Sequence, residues 1–332
     1  RKKYDIKAVV TVASDCHETV ASVAKYLGLP GIDPKLAHLC RYKLEMREVL
    51  KKAGIPQPDF KKVRNLTEAK AAIKQIGLPA AIKSTNNSGS RGFSAINSPK
   101  DLTLESLRVA IENGTTGCAI IETLLLPIEN EIAEQSVETV WHNGKMYWLN
   151  WVDRIFRKDF LRFKNLKKIG KKMYSKIGWG VEIGHINPAM HNLEIKEQVQ
   201  EMIYGAGLAI GMGSQKGGHI LKADIMLTKN GPYILELTPR LSGGWDSSQT
   251  TIKRGANFIN GTISLALGED LNLDLWHRYF EYRNPNLFAS VLAEIDSGAK
   301  DCIGRKFAVG ADFDREQSLK NAYKSLVEKN YL

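Results

Sequence analysis

Apolar and polar positions change period several times along the chain. Tyr4–Ser14 (YDIKAVVTVAS) reads as a strand that ends in small residues. HETVASVAKYLGLPG follows with helical spacing, and Gly28 supplies a stop. RYKLEMREVLKKAG places Leu44, Val49 and Leu50 at helical positions and ends at Gly54. The prolines of IPQPDFKKV predict extended chain. TEAKAAIKQIG is a short helix, LPAAIKS (Leu78–Ser84) a strand, and NNSGSRGF (Asn86–Phe93) a polar loop with two glycines. A helix over Leu102–Gly114 and the strand CAIIETLL come next. AEQSVETVWHNGKMYWLNWVD alternates around Asn143-Gly144, a strong short hairpin signal. Helices follow in IKEQVQEMIYGAGLAIGM and ANFINGTISLALGE; the end of the chain holds the strand LFASVLAEI and the helix REQSLKNAYKSLVEKNYL. Early alternation followed by hairpins predicts an α+β (α/β) protein of several lobes.

The stretch ADIMLTKNGPYILELTPRLSGG (Ala223–Gly244) reads as a second hairpin, with an acid on each strand. A three-residue turn, Lys229-Asn230-Gly231, sets Asp224 opposite Glu236 and Met226 opposite Ile234. Period-two alternation then puts Glu236, Thr238 and Arg240 on one face. A two-residue Asn-Gly turn instead parts the acids. Facing carboxylates repel unless positive charge lies between them. Mg²⁺ takes one or two carboxylates with substrate phosphates, and Arg240 suits a phosphate or carboxylate. An exposed hairpin with solvated acids, or a Glu236–Arg240 pair, fits the same spacing.

Composition narrows the class. The 332 residues are 43% hydrophobic and 25% charged, which fits a folded soluble chain with a substantial core. There is no apolar run long enough to span a bilayer and no signal-peptide pattern. Cys16, Cys40, Cys118 and Cys302 form no CxxC, which argues for a reducing, cytoplasmic setting and against zinc. The chain opens at Arg1 without Met, so an N-terminal portion is expected to be missing. The net charge of +11 is local: residues 154–176 hold ten Lys/Arg against Asp159, leaving +2 for the rest. That segment reads as a solvated insertion. A lid for an anion fits as well, and its interleaved Phe156, Phe160, Phe163 and Tyr174 fit nucleic-acid contact.

Three features add to the hairpin. Lys83 ends an apolar strand and precedes the Ser/Gly/Asn loop, whose amides can cradle phosphate. Lys43 lies on a helix. Glu122 ends a strand, where a buried carboxylate needs a partner.

In this order the pieces resemble the ATP-grasp family. The matching stretches are Arg41–Phe60, Gly77–Phe93, AIIETLL with EQSVETV, and the Ala223–Gly244 hairpin. EIGHINPA (Glu182–Ala189) and ELTPRLSGGW resemble segments of the family's carboxylate–amine and amino-acid ligases. The resemblance implies ATP gripped between two α+β lobes with two Mg²⁺ ions, with Mn²⁺ as a substitute. Residues 1–40 become a partial N-terminal lobe, 41–121 the small subdomain, 122–270 the large subdomain and 271–332 a C-terminal segment. Lys43 and Lys83 match phosphate-binding lysines; Ser88, Gly89, Ser90 and Gly92 match the closing loop. Glu122 and Leu125 match the adenine hinge, and Glu134 the ribose acid. Asp224, Glu236 and Thr238 match metal ligands, with Thr where the family usually has Asn. Arg240 matches the arginine that steadies the transferring phosphoryl group, and His185 falls near the acceptor or the acyl-phosphate.

The implied reaction is ADP-forming ligation: a carboxylate is phosphorylated by MgATP and attacked by an amine. A carboxylase or carbamoyl-phosphate-type enzyme acting on bicarbonate is the first alternative. A non-catalytic nucleotide- or nucleic-acid-binding module is another. The expected partners are small carboxylates and amines, with no membrane, no nucleic acid at the nearly neutral body, and room for a homodimer.

Overall fold

The structure is a computed structural model that describes residues 4–129, 131–160, 163, 166, 181–243, 245–294 and 305–331. Most of the basic segment 154–176 therefore lies outside the described residues.

Two antiparallel sheets organise the chain. The smaller has strand order β1-β4-β2-β3, from β1 (Phe60–Val63), β2 (Ala80–Ser84), β3 (Ser94–Ile96) and β4 (Ala119–Thr123). Helices α4 (Leu66–Ile76) and α5 (Leu104–Glu112) pack on it through Ala69, Ile73, Leu107 and Ala110 against Val63, Ile82 and Ile121. Both helices start on side-chain caps: Asn65 accepts the Glu68 amide and Thr103 the Ser106 amide.

The larger sheet has order β11-β10-β7-β6-β5-β8-β9. Its strands are β5 (Glu134–His142), β6 (Lys145–Phe156), β7 (Glu182–Asn187), β8 (Gly218–Thr228), β9 (Gly231–Thr238), β10 (Phe288–Ala293) and β11 (Phe307–Asp312). β5 lies inside the sheet between β6 and β8 and is buried along seven successive residues, as expected of a strand covered on both faces. The Leu193–Ile210 helix and α3 (Lys43–Lys52) cover one face, with Met46, Leu50, Ile203 and Ala206 against Val137, Trp141 and Ile225. Gly207 is required there, because a Cβ would collide with the Trp141 ring. The Arg315–Glu328 helix closes the β10–β11 end through Leu319 and Ala322.

The Asn143-Gly144 hairpin forms as its sequence predicts: φ is 49° and 81°, the double left-handed turn that matches strand twist. One expectation fails. Tyr4–Ser14 joins no sheet. The outer edge of β9 is met at Ile234 by Pro56 O (2.9 Å), and Val12 O accepts one bond from Leu241 N beyond the strand (3.0 Å). Pairing stops there, so the apolar segment builds no ladder. The helix expected over RYKLEMREVLKKAG forms as α3 and starts two residues in, at Lys43, because Tyr42, with φ/ψ of −100°/99°, is not helical and separates it from α2 (Pro34–Arg41).

Candidate active site

A cavity of about 390 Å³ lies between the two sheets. The small sheet supplies Lys83 from β2, Glu122 from β4 and the loop residues Ser88, Gly89 and Ser90; the large sheet supplies Glu134, Arg154, Asp224 and Glu236 from β5, β6, β8 and β9. Lys43 enters from the start of α3, and Leu125 lines the connection between the sheets. Gly92 is not on the wall. Its φ of 76° and a close approach to Asn113 set the loop against α5.

The β8–β9 hairpin reaches the expected pairing by a different route. Thr228 pairs with Gly231, so the turn is the two residues Lys229-Asn230, and Met226 faces Tyr233 instead of Ile234. An irregularity between Asp224 and Ile225 then shifts the register by one and brings Asp224 opposite Glu236. Leu235 is the extra residue of this bulge, and its carbonyl, freed from the ladder, accepts Arg47 Nη2 at 2.7 Å. The shared face ends at Thr238. Pro239 follows, and Arg240 turns away to Asp15, with Nε–Oδ1 at 3.1 Å. Thr238 is buried opposite Lys222 and does not line the cavity.

Charge compensation is dense. Lys43 Nζ donates to Glu236 Oε1 (2.9 Å) and to Asn87 O (2.7 Å), joining the hairpin to the glycine loop. Lys222 Nζ donates to Asp224 Oδ2 (2.6 Å), and Arg154 approaches the same oxygen (3.7 Å). Burial alone would raise the Asp224 pKa, but Lys222 and Arg154 outweigh it and hold it at about 2. Burial likewise opposes ionisation of Glu236, and Lys43 wins, lowering its pKa. Glu122 is clamped by Arg47 Nε (2.9 Å) and Lys83 and stays ionised to about 2 despite its burial. Its carboxylate holds Lys83 at the cavity wall. Glu134 differs: burial, with Glu182 and Asp224 nearby, pushes it up to about 7 against the pull of Arg154.

His185 sits on β7 outside the cavity. Its Nδ1 faces Asp246 Oδ1 at 2.6 Å and its Nε2 faces Glu182. Burial would lower its pKa, but the two acids outweigh burial and raise it. Glu182 in turn accepts from Arg154 Nη2 (2.7 Å), so alternating charges lead from Asp246 through His185, Glu182 and Arg154 to Asp224.

Several of these residues were not anticipated from the sequence. Arg154, counted with the basic segment, is a strand residue on the cavity wall. Lys222 precedes Asp224 by two, so the alternation that selected the acids also pointed to it. Arg47 and Asp15 carried no such signal.

Asp224 Oδ1 is buried without a hydrogen-bond partner, across from Glu236. An orphan carboxylate oxygen beside a second carboxylate, at a cavity with two lysines, fits a hard divalent cation held jointly with phosphate. Among the described residues no group of three or more His, Cys, Asp or Glu competes as a metal site.

The two sheets, the cavity between them and the acidic β8–β9 hairpin are the ATP-grasp fold. Within that fold the chain is similar to an L-amino acid ligase from Bacillus licheniformis, at 18% identity and a TM-score of 0.71 over 98% of this chain and 80% of that one. In sequence it is 25% identical over 274 residues to an uncharacterized protein, y4rH, of Sinorhizobium fredii, covering 82% of this chain and 51% of the relative. It is 25% identical over 232 residues to the alanine–anticapsin ligase of Bacillus subtilis, covering 68% and 46%. The chain thus spans about half the length of these two curated relatives. No protein-family model matches it.

Proposed function

We propose that the protein is an ADP-forming carboxylate–amine ligase that uses MgATP to activate a small carboxylate, such as an amino acid, for attack by an amine. One observation carries this reading: the Asp224–Glu236 pair faces Lys43, Lys83 and the Ser88–Ser90 loop across one cavity. The relatives named as amino-acid and alanine–anticapsin ligases support it.

Phosphoryl transfer asks the protein mainly for position and charge. Asp224 and Glu236 would hold Mg²⁺, which supplies charge neutralisation at the phosphates. Thr238 has no wall position from which to join them. Lys43 and Lys83 balance the phosphate oxygens, and Lys83 is aimed by Glu122. Ser88, Gly89 and Ser90 cover the phosphates and exclude water. The loop amides and the segment around Leu125 hold the nucleotide, and Glu134 holds the ribose. The substrate carboxylate oxygen attacks the γ-phosphorus, releasing ADP. The amine nitrogen then displaces phosphate from the acyl carbon and loses its proton. Arg240 steadies the acyl-phosphate with the donors that Asp15 leaves unused. His185 acts from behind the wall, fixing Glu182 and through it Arg154.

The test is ADP release across amino acids and small carboxylates, with and without amines. Glu236→Gln should lower MgATP turnover by at least about 10²-fold with an unchanged thermal transition. Wild-type turnover in that variant rejects the site.

A further inference from the structure

A second pocket, of about 80 Å³, lies where the N-terminal segment and α1 (His17–Leu27) meet the start of β8 and the Phe258–Ala266 helix. Its walls are mostly aliphatic, with Val9, Val20, Ile220 and Leu265 among them, and two of its polar groups are His17 and Arg240. His17 is 3% exposed, yet neither Nδ1 nor Nε2 has a hydrogen-bond partner. A buried imidazole with both nitrogens unmatched is rare and leaves a donor and an acceptor unused. Burial, reinforced by Arg240, keeps the ring neutral down to a pKa of about 4, so it offers hydrogen bonds and no charge. Arg240 supplies the charge. Its Nε and Nη2 donate to Asp15 and its Nη1 to Leu241 O, which leaves part of its five-donor fork unused.

Asp15 also accepts from Ser88 of the glycine loop. The residue that lines the small pocket and the residue that lines the large cavity are therefore joined through one carboxylate. On this volume measure a water needs roughly 10–15 Å³, so the pocket takes a molecule of about six heavy atoms. A nucleotide is far too large.

We propose that this pocket binds a short aliphatic carboxylate, its carboxylate on Arg240 and His17 and its hydrocarbon among Val9, Val20, Ile220 and Leu265. As the binding place of the acid to be activated, it rests on the ligase reading; as a binding site it does not.

The probe is isovalerate, titrated into the full chain without nucleotide and followed by saturation transfer to its methyl groups and by calorimetry. Isovalerate is expected to bind, and isovaleramide, which lacks the charge, at least about tenfold more weakly. His17→Phe and the pocket-filling Ala266→Leu should each weaken isovalerate at least about tenfold. Affinity for a fluorescent ATP analogue should be unchanged in both. Absence of isovalerate binding to the wild type, which leaves His17 to an ordered water, overturns the proposal. So does equal binding of isovaleramide, or unchanged isovalerate affinity in folded Ala266→Leu. Nucleotide binding without isovalerate binding removes this inference alone. Isovalerate binding without MgATP turnover removes the ligase reading and leaves the pocket.

Discussion

Glu138 is the residue at which burial and charge conflict most plainly. It is 1% exposed, its Oε1 accepts the Ser242 amide and its Oε2 accepts Asn150 Nδ2 at 3.0 Å. Burial, then the neighbouring Asp246, pushes its pKa from 4.5 to about 7, and the two hydrogen bonds offset this only in part. The unfolded chain gives up this proton at 4.5, whereas the fold keeps it to about 7. The folded protein therefore binds the extra proton between those values. The corresponding stability is complete below 4.5 and is lost as pH rises through 7, a contribution on the order of 3 kcal/mol. Glu138→Gln mimics the protonated acid. Denaturant titrations at pH 5 and pH 8 should show a smaller loss of stability in the variant than in the wild type; equal losses would assign the proton elsewhere. At this scale the sequence was least informative about partners. Asp224 and Glu236 stood out because acids interrupt apolar strands, but Arg154, which helps to hold Asp224 ionised, reads in a linear chain as one more cation of the basic segment.

The β8–β9 hairpin shows how an element can be right in outcome and different in construction. Alternation identified both strands and the Asp224–Glu236 pair. It did not identify the turn, because a two-residue turn followed by a bulge gives the same pairing at Asp224 as a three-residue turn without one. The bulge is stable because its freed carbonyl has a partner: Arg47, on α3, donates to Ile234 O (3.1 Å) and Leu235 O and closes on Glu122 of β4. Arg47 and Glu122 are both fully buried. Arg47→Met leaves a buried carboxylate short of one cation and two carbonyls without donors. The expected loss is about 3–5 kcal/mol in denaturant unfolding. Arg47→Lys should recover only part of it, since one ammonium cannot reproduce the planar fork. A loss below about 1 kcal/mol in Arg47→Met would mean that the strut is incidental. The strand expected at Tyr4–Ser14 belongs to this scale too: it meets the end of β9 through the single bond from Leu241 N to Val12 O and builds no ladder on it.

Across the whole molecule, the parts that meet at the cavity are far apart in sequence and are joined by few side chains. Arg47–Glu122–Lys83 and Lys43–Glu236 tie the small sheet to the large one, while Asp15 ties the N-terminal segment to both the glycine loop and Arg240, a residue 225 positions away. Such a contact has no local signature, which is why sequence pattern and family resemblance placed Arg240 beside Glu236 and the fold places it on Asp15. Burial disfavours the ionised form of Asp15, but Arg240 and Ser88 outweigh it and hold its pKa well below the usual carboxylate range. The tie therefore persists throughout neutral and mildly acidic pH. Asp15→Ala removes the acceptor of Ser88 while leaving the bond from Lys43 to Asn87 O intact. The amides of residues 88–91 should then exchange hydrogen faster, and those of β2 and α5 at the same rate as before. Unchanged exchange at residues 88–91 would show that Lys43, not Asp15, sets the position of the loop. Uniformly faster exchange would show that Asp15 supports the fold as a whole and not the loop in particular.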